Sequence, residues 1–158
     1  LFIVNDRPDL AVLSQADGVH VGQEELPVLE VRAIVGPQML VGVSTHSLDQ
    51  ARQAVLDVAN YLGCGPTFPS RTKEFDDFPG LRFLREVAAE VRLPAFAIGG
   101  IGPENVASVL ATGFRRIAVG QSVTGVSDPA DAARQLAQVL RSEPGPPRLA
   151  PVEPATPT

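Results

Sequence analysis

Six short apolar runs alternate with six helix-like stretches between residues 1 and 141, and this alternation limits the fold more than any other feature. The runs are Leu1–Val4, Gly18–Val21, Leu40–Val43, Tyr61–Gly65, Ala95–Ile98 and Ile117–Val119. Each is too short for a helix and apolar at successive positions, as parallel strands covered on both faces are. The intervening stretches carry helix start signals: Pro8, Pro27, Ser47, Pro79, Pro103 and Asp128-Pro129. Apolar residues then recur at helical spacing, as in Val28 and Val31, in Leu48, Ala51, Ala54, Val55 and Val58, and in Leu81, Leu84 and Val87. Strands alternating with helices predict an α/β chain with a parallel sheet. No Gly-x-Gly-x-x-Gly follows the first strand, so the repeated units favour a (β/α)8 TIM barrel over a dinucleotide-binding sheet. A barrel closes with eight strands, and six are legible, so the expectation is an incomplete barrel over residues 1–141. The Pro-rich stretch 142–158 has few apolar residues and is expected to be a disordered tail.

The 158 residues suit a single domain. A formal net charge of -5 argues against general attraction to nucleic acid or anionic membrane. The lone Cys64 excludes an intrachain disulfide and a Cys-rich metal site, and it reads as a small buried hydrophobe. No apolar run approaches the ~18 residues of a membrane span, and no charged-then-apolar leader opens the chain. The chain opens directly on strand-like Leu1–Val4, so sequence is expected upstream.

Unusual residues cluster just after the strands, where parallel α/β folds bind ligands. Asp6 and the Glu24-Glu25 pair end successive strands and could share a Mg²⁺, which is commonly held by one or two carboxylates plus water and phosphate oxygens. Equally, Asp6 could cap a helix and the glutamates could be surface charge. Gly99-Gly100-Ile101-Gly102, between a strand and a helix, offers backbone N–H groups to an anion, with Gly120-Gln121-Ser122 as a weaker repeat. The same glycines could serve only a tight turn. Tyr61 to Lys73 runs from a strand into a loop ending in Ser70, Arg71, Thr72 and Lys73, two hydroxyls and two cations that could seat a phosphorylated ligand. A solvated loop has the same composition. His20 lies within a strand and reads as packed or hydrogen-bonded. His46 lies just past a strand end, without an evident partner, and Arg115-Arg116 reads as a solvated pair at the opposite end.

Several longer motifs together resemble the thiamine phosphate synthase family. They are Asn5-Asp6-Arg7, Asp17-Gly18-Val19-His20-Val21-Gly22-Gln23-Glu24, Val41 to Ser47, Gly63 to Lys73 and Ala97-Ile98-Gly99-Gly100-Ile101. Their order and spacing match the family's from residue 1 to about 141. The resemblance implies condensation of a pyrimidine pyrophosphate with a thiazole phosphate, giving thiamine phosphate and releasing pyrophosphate. It implies a Mg²⁺-assisted departure of pyrophosphate and capture of the resulting pyrimidine cation by the thiazole nitrogen, so that positioning and charge stabilisation dominate. Carried over position by position, Asn5 and Ser44 would hold the pyrimidine, Asp6 and Glu25 the Mg²⁺, and Lys73 the pyrophosphate. Ser44 and Lys73 would be the catalytic pair. Ser70, Thr72, Gly100 and the Gly120-Gln121 backbone would hold the thiazole phosphate.

Three positions depart from the family's pattern. Glu25 stands where Asp is usual, Ser70 where Thr is usual, and Gly120-Gln121 where the pair usually ends in Ser. The first two strand–helix units of the family, with a Gln/Arg/Lys cluster that grips pyrophosphate, have no counterpart. The chain is therefore expected to be a fragment or one segment of a longer protein, weakly active or inactive alone. Its expected partners are the two small-molecule substrates, with a homo-oligomer or a partner chain supplying missing strands, in the cytoplasm. Two alternatives remain: a thiazole tautomerase, against which Asn5, Asp6 and Lys73 argue, and a non-catalytic domain that binds a phosphorylated ligand.

Overall fold

The computed structural model describes residues 1–69 and 79–142. Six strands form one sheet: β1 (Ile3–Asn5), β2 (Gly18–Val21), β3 (Leu40–Thr45), β4 (Tyr61–Cys64), β5 (Ala95–Ile98) and β6 (Ile117–Ala118). Their order in the sheet is their order in the chain, and every neighbouring pair is parallel. A doubly wound sheet reverses its strand order at a switch point; this one does not, so each crossover advances in one direction, as in a barrel.

The helices are α1 (Pro8–Leu13), α2 (Val28–Val35), α3 (Leu48–Leu56), α4 (Gly80–Glu90), α5 (Val106–Leu110), α6 (Gln121–Thr124) and α7 (Pro129–Ser142). Strand side chains alternate between two environments. Val19, Val21, Val41, Val43, Leu62, Cys64 and Ala97 are buried in a core shared with Ala11 of α1, Val31 of α2, Ala51 and Ala54 of α3, and Leu84 and Val87 of α4. Leu62 and Leu84 are wholly buried, which stabilises the chain by about 1.5–3 kcal/mol each. The alternate positions His20, Ser44, Tyr61 and Phe96 are only partly covered, and Ile98 is 44% exposed. In a closed barrel that side is the packed interior. Six of the eight strands of such a barrel are present among the described residues, and the interior side is correspondingly open.

The helix boundaries show where local pattern yields to packing. Ser47 caps α3 as its sequence predicts, accepting from the Gln50 N–H at 3.2 Å. Val55 and Val58, which share the predicted inward face, are exposed instead. α3 stops at Leu56, and Val58 adopts φ 62°, turning the chain back to deliver Asn60 to β3. Asn60 donates its N–H to the Val41 carbonyl at 2.7 Å and accepts from the Val41 N–H through Oδ1 at 2.8 Å. Arg115 is not simply solvated: its Nη1 donates to the carbonyls of Leu110 (2.7 Å) and Phe114 (2.9 Å), closing the end of α5. The last helix ends at Ser142, and 143–158 lie outside the described residues.

Candidate active site

The ends of β1, β2 and β3 enclose a cleft of about 410 Å³. Asn5, Asp6, Glu24, Glu25, Ser44 and His46 are among its lining residues, together with His20 and Gln23. The parallel register brings them together: Asn5 pairs with His20, and His20 with Gly42, two residues before Ser44. Four residues assigned from sequence to the pyrimidine and the metal, Asn5, Asp6, Glu25 and Ser44, therefore share one concavity.

Local hydrogen bonds hold several of these side chains. Asp6 sits at φ 59°, a left-handed conformation that Asp and Asn tolerate better than most residues, and its N–H donates to the His20 carbonyl at 2.8 Å. The Asn5 amide donates to Asp6 Oδ2 at 2.6 Å, fixing both side chains at the end of β1. Gln23 donates through Nε2 to the Ser44 carbonyl at 2.6 Å, tying the loop after β2 to β3. His46 does have partners: its Nδ1 lies 2.6 Å from the Gly65 carbonyl, and its N–H donates to Gln50 Oε1 at 2.7 Å. Arg7 points to Asp9 at 2.6 Å, an exposed pair of the kind that contributes little to stability.

His20 is hydrogen-bonded, as the sequence suggests, and Tyr61 gains a role that the sequence reading did not give it. The His20 Nε2 lies 2.9 Å from Ser44 Oγ, and its Nδ1 lies 3.1 Å from the Tyr61 hydroxyl. Burial pushes the His20 pKa down and favours the neutral ring, opposed in part by the charge of Asp6. Burial also pushes the Tyr61 phenol up, so it stays protonated. The two glycines beside them are needed for space. A Cβ on Gly42 would collide with the Tyr61 ring, and one on Gly63 would lie 3.3 Å from His20 Cε1. Glycine inside a strand signals close approach, and that was the available sign of these two rings.

The electrostatics of the cleft are one-sided. Asp6, Glu24 and Glu25 line it, and no Lys or Arg does so among the described residues. No three His, Cys, Asp or Glu side chains gather there as a cage for a metal ion among the described residues. A cation here would complete its shell with water and ligand oxygens, which is how Mg²⁺ is usually held.

At the other end of the sheet the residues offered for phosphate are backbone elements. Ile98 pairs with Ala118, so Gly100 and Gly120 follow a paired position by the same two residues. Gly99 and Gly100 have φ 99° and 62°, and a Cβ on Gly100 would lie 2.8 Å from the Phe68 carbonyl oxygen. The loop after β4 rests on this turn, with the Phe68 N–H donating to the Gly99 carbonyl at 3.0 Å. Asn105 closes the turn, accepting from the Gly102 N–H and donating to the Gly100 carbonyl, both at 2.9 Å. Gly120 precedes the four-residue α6, which begins at Gln121. Ser70, Thr72 and Lys73 lie outside the described residues.

A barrel-type sheet with a polar cleft at its strand ends defines the class: a parallel α/β protein with a cleft where its fold usually binds ligands. The particular family follows from comparison. Residues 1–123 match the family model for thiamine monophosphate synthase, and the chain belongs to that family. It is 55% identical over 146 residues to a thiamine-phosphate synthase of Rhodopirellula baltica, covering 89% of this chain and 38% of that one. It is 46% identical over 140 residues to the Moorella thermoacetica thiamine-phosphate synthase, covering 88% of this chain and 67% of its relative. A solved thiamine phosphate pyrophosphorylase from Pyrococcus furiosus superposes with a TM-score of 0.82 at 37% identity, over 90% of this chain and 68% of that one. The chain thus spans between about two fifths and two thirds of the length of these relatives.

Proposed function

We propose that this chain carries the substrate-joining site of a thiamine phosphate synthase, a transferase that condenses a pyrimidine pyrophosphate with a thiazole phosphate and releases pyrophosphate. The observation that carries the reading is the convergence of Asn5, Asp6, Glu25 and Ser44 on one cleft at the ends of β1 to β3. Asn5 and Ser44 bind and orient the pyrimidine; Asp6 and Glu25 hold Mg²⁺. The donor set fits that ion: hard carboxylate oxygens, few enough that ligand phosphates can complete the shell. When bound, Mg²⁺ offsets the charge of the pyrophosphate, which a cleft lined by three carboxylates would otherwise repel. Glu25 reaches from the loop after β2, and its extra methylene relative to Asp is accommodated beside Gly22, where a Cβ would collide with Glu25 Oε2.

Catalysis on this reading is positioning. The strands fix the ends of Asn5 and Ser44, and the Asn5–Asp6 hydrogen bond orients the carboxylate before ligand arrives. Lys73 supplies the cation for the leaving pyrophosphate, while Ser70, Thr72, Gly100 and the Gly120-Gln121 backbone hold the thiazole phosphate. The setting is cytoplasmic, the partners are small molecules, and strands from a second copy or from further chain complete the barrel. No helix among the described residues is long and apolar enough to cross a membrane.

The relatives support a synthase over a tautomerase, because the matched proteins carry the synthase name and the carboxylate cleft has no task in a reaction without pyrophosphate. The test is incubation of the chain with both substrates and Mg²⁺, following thiamine phosphate and pyrophosphate together. Stoichiometric release of the two products supports the proposal. Binding of thiazole phosphate alone, with no Mg²⁺-dependent binding of the pyrimidine pyrophosphate, overturns it in favour of a tautomerase or a binding domain.

A further inference from the structure

The inward positions of β2, β3 and β4 form a hydrogen-bonded line, Tyr61 Oη to His20 Nδ1 at 3.1 Å and His20 Nε2 to Ser44 Oγ at 2.9 Å. Its outer end, Ser44, lines the cleft, whereas Tyr61 stands behind it against the edge of the Phe96 ring, at a centroid separation of 5.8 Å. A neutral imidazole has one donor and one acceptor nitrogen, so the two hydroxyls cannot both donate to it. One must accept. A phenol is far more acidic than an aliphatic alcohol, which makes it the stronger donor and the weaker acceptor. The ring's single lone pair therefore belongs to Tyr61, and its single N–H belongs to Ser44.

We propose that His20 is a positioning residue for Ser44: Tyr61 donates to Nδ1, Nε2–H donates to Ser44 Oγ, and the Ser44 proton is left to point at an acceptor atom of a ligand in the cleft. In the opposite arrangement the Ser44 proton is spent on His20, and the serine offers the cleft only lone pairs. Gly42 and Gly63 make the line possible, since a Cβ at either would press on the Tyr61 or His20 ring. The assignment rests on the proposed role of Ser44 in holding the pyrimidine only for its use. The hydrogen-bond direction itself is a property of the ligand-free chain.

Long-range ¹H–¹⁵N correlation of the imidazole nitrogens in the ¹⁵N-labelled chain reads that direction, at about pH 8, well above the ordinary imidazole pKa of ~6.5. The chain has two histidines, so a His46→Gln variant assigns the remaining signals to His20. The expected result is a protonated Nε2 and an unprotonated, pyridine-like Nδ1. Tyr61→Phe removes the donor to Nδ1 and is expected to mix the two tautomers; Ser44→Ala is expected to leave Nδ1 unprotonated. A protonated Nδ1 in the unsubstituted chain overturns the proposal, as does a tautomer unmoved by Tyr61→Phe. Should Tyr61→Phe fail to fold, the unsubstituted chain and Ser44→Ala decide alone, because a switch of tautomer in Ser44→Ala shows that the serine, not the tyrosine, set it. None of these readings needs turnover, so a chain with the expected tautomer that binds no pyrimidine pyrophosphate in the presence of Mg²⁺ would sink the functional reading and leave the positioning line standing.

Discussion

The two ends of the sheet offer a ligand different chemistry. At the ends of β1 to β3 the cleft is built from side chains: an amide, carboxylates, a hydroxyl and an imidazole, with Asn5 bonded to Asp6 at 2.6 Å and His20 to Ser44 at 2.9 Å. At the ends of β5 and β6 the residues offered for ligand are glycines, whose value lies in backbone shape. Side-chain sites are sensitive to charge and tolerant of small changes in the turn. Backbone sites reverse this, since a single methyl group can move the turn while no charge is altered. The difference gives each half its own signature under substitution.

The sharpest separation comes from charge. Asp6→Asn keeps a residue that accepts the φ of 59° and removes the carboxylate, so the fold should persist while the proposed Mg²⁺-dependent synthase turnover, assayed with the barrel completed, falls roughly a hundredfold or more. Steady-state kinetics beside a thermal melt checks this; lost turnover with an unchanged melt is the expected pattern, and unchanged turnover breaks the comparison.

β4 belongs to both halves, and its Cys64 offers a test of how dry the shared wall is. Burial pushes the Cys64 thiol up to about 11, although Thr45 Oγ1 at 3.5 Å opposes the shift. The folded chain then binds a proton that the unfolded chain gives up, so the stability this retains is lost as pH rises from the ordinary thiol pKa toward 11. The loss should reach about 2–3 kcal/mol in denaturant titrations across that window. Tyr61, also raised by burial, adds to it above its ordinary pKa. Cys64→Ala should remove the cysteine part; an identical pH dependence in that variant shows the wall to be wet.

A smaller contrast distinguishes the two glycine turns. Gly100→Ala places a methyl group at φ 62° and 2.8 Å from the Phe68 carbonyl oxygen, and should cost about 1–3 kcal/mol by chemical denaturation. Gly120→Ala meets open space and should cost less than Gly100→Ala. Equal effects would mean that the loop after β4 does not rest on the Gly99-Gly100 turn.

The strands were legible because parallel strands packed under helices are rich in apolar residues, and β2 and β5 have the bounds that their apolar runs predict. α6 was not legible: four residues reading Gln-Ser-Val-Thr, with none buried, carry no periodic signal. Val55 and Val58 read as inward because periodicity assumes that the helix continues, whereas the return of Asn60 to Val41 ends it first. The cleft was legible in part because strand ends are where such folds place chemistry, which singled out Asp6, Glu25 and Ser44. The line from Tyr61 through His20 to Ser44 was not, since it depends on strand register and side-chain direction. Only Gly42 and Gly63 hinted at it, as strand glycines that leave room for a ring.

The central claim, that the β1 to β3 cleft takes a pyrophosphate-bearing ligand through a cation on Asp6 and Glu25, is tested most directly by isothermal titration of the pyrimidine pyrophosphate into the unsubstituted and Asp6→Asn chains, each with and without Mg²⁺. The account predicts binding to the unsubstituted chain that needs Mg²⁺ and weakens at least about tenfold in Asp6→Asn, a difference of ~1.4 kcal/mol. Equal affinity with and without the ion, or affinity untouched by loss of the carboxylate, would contradict it.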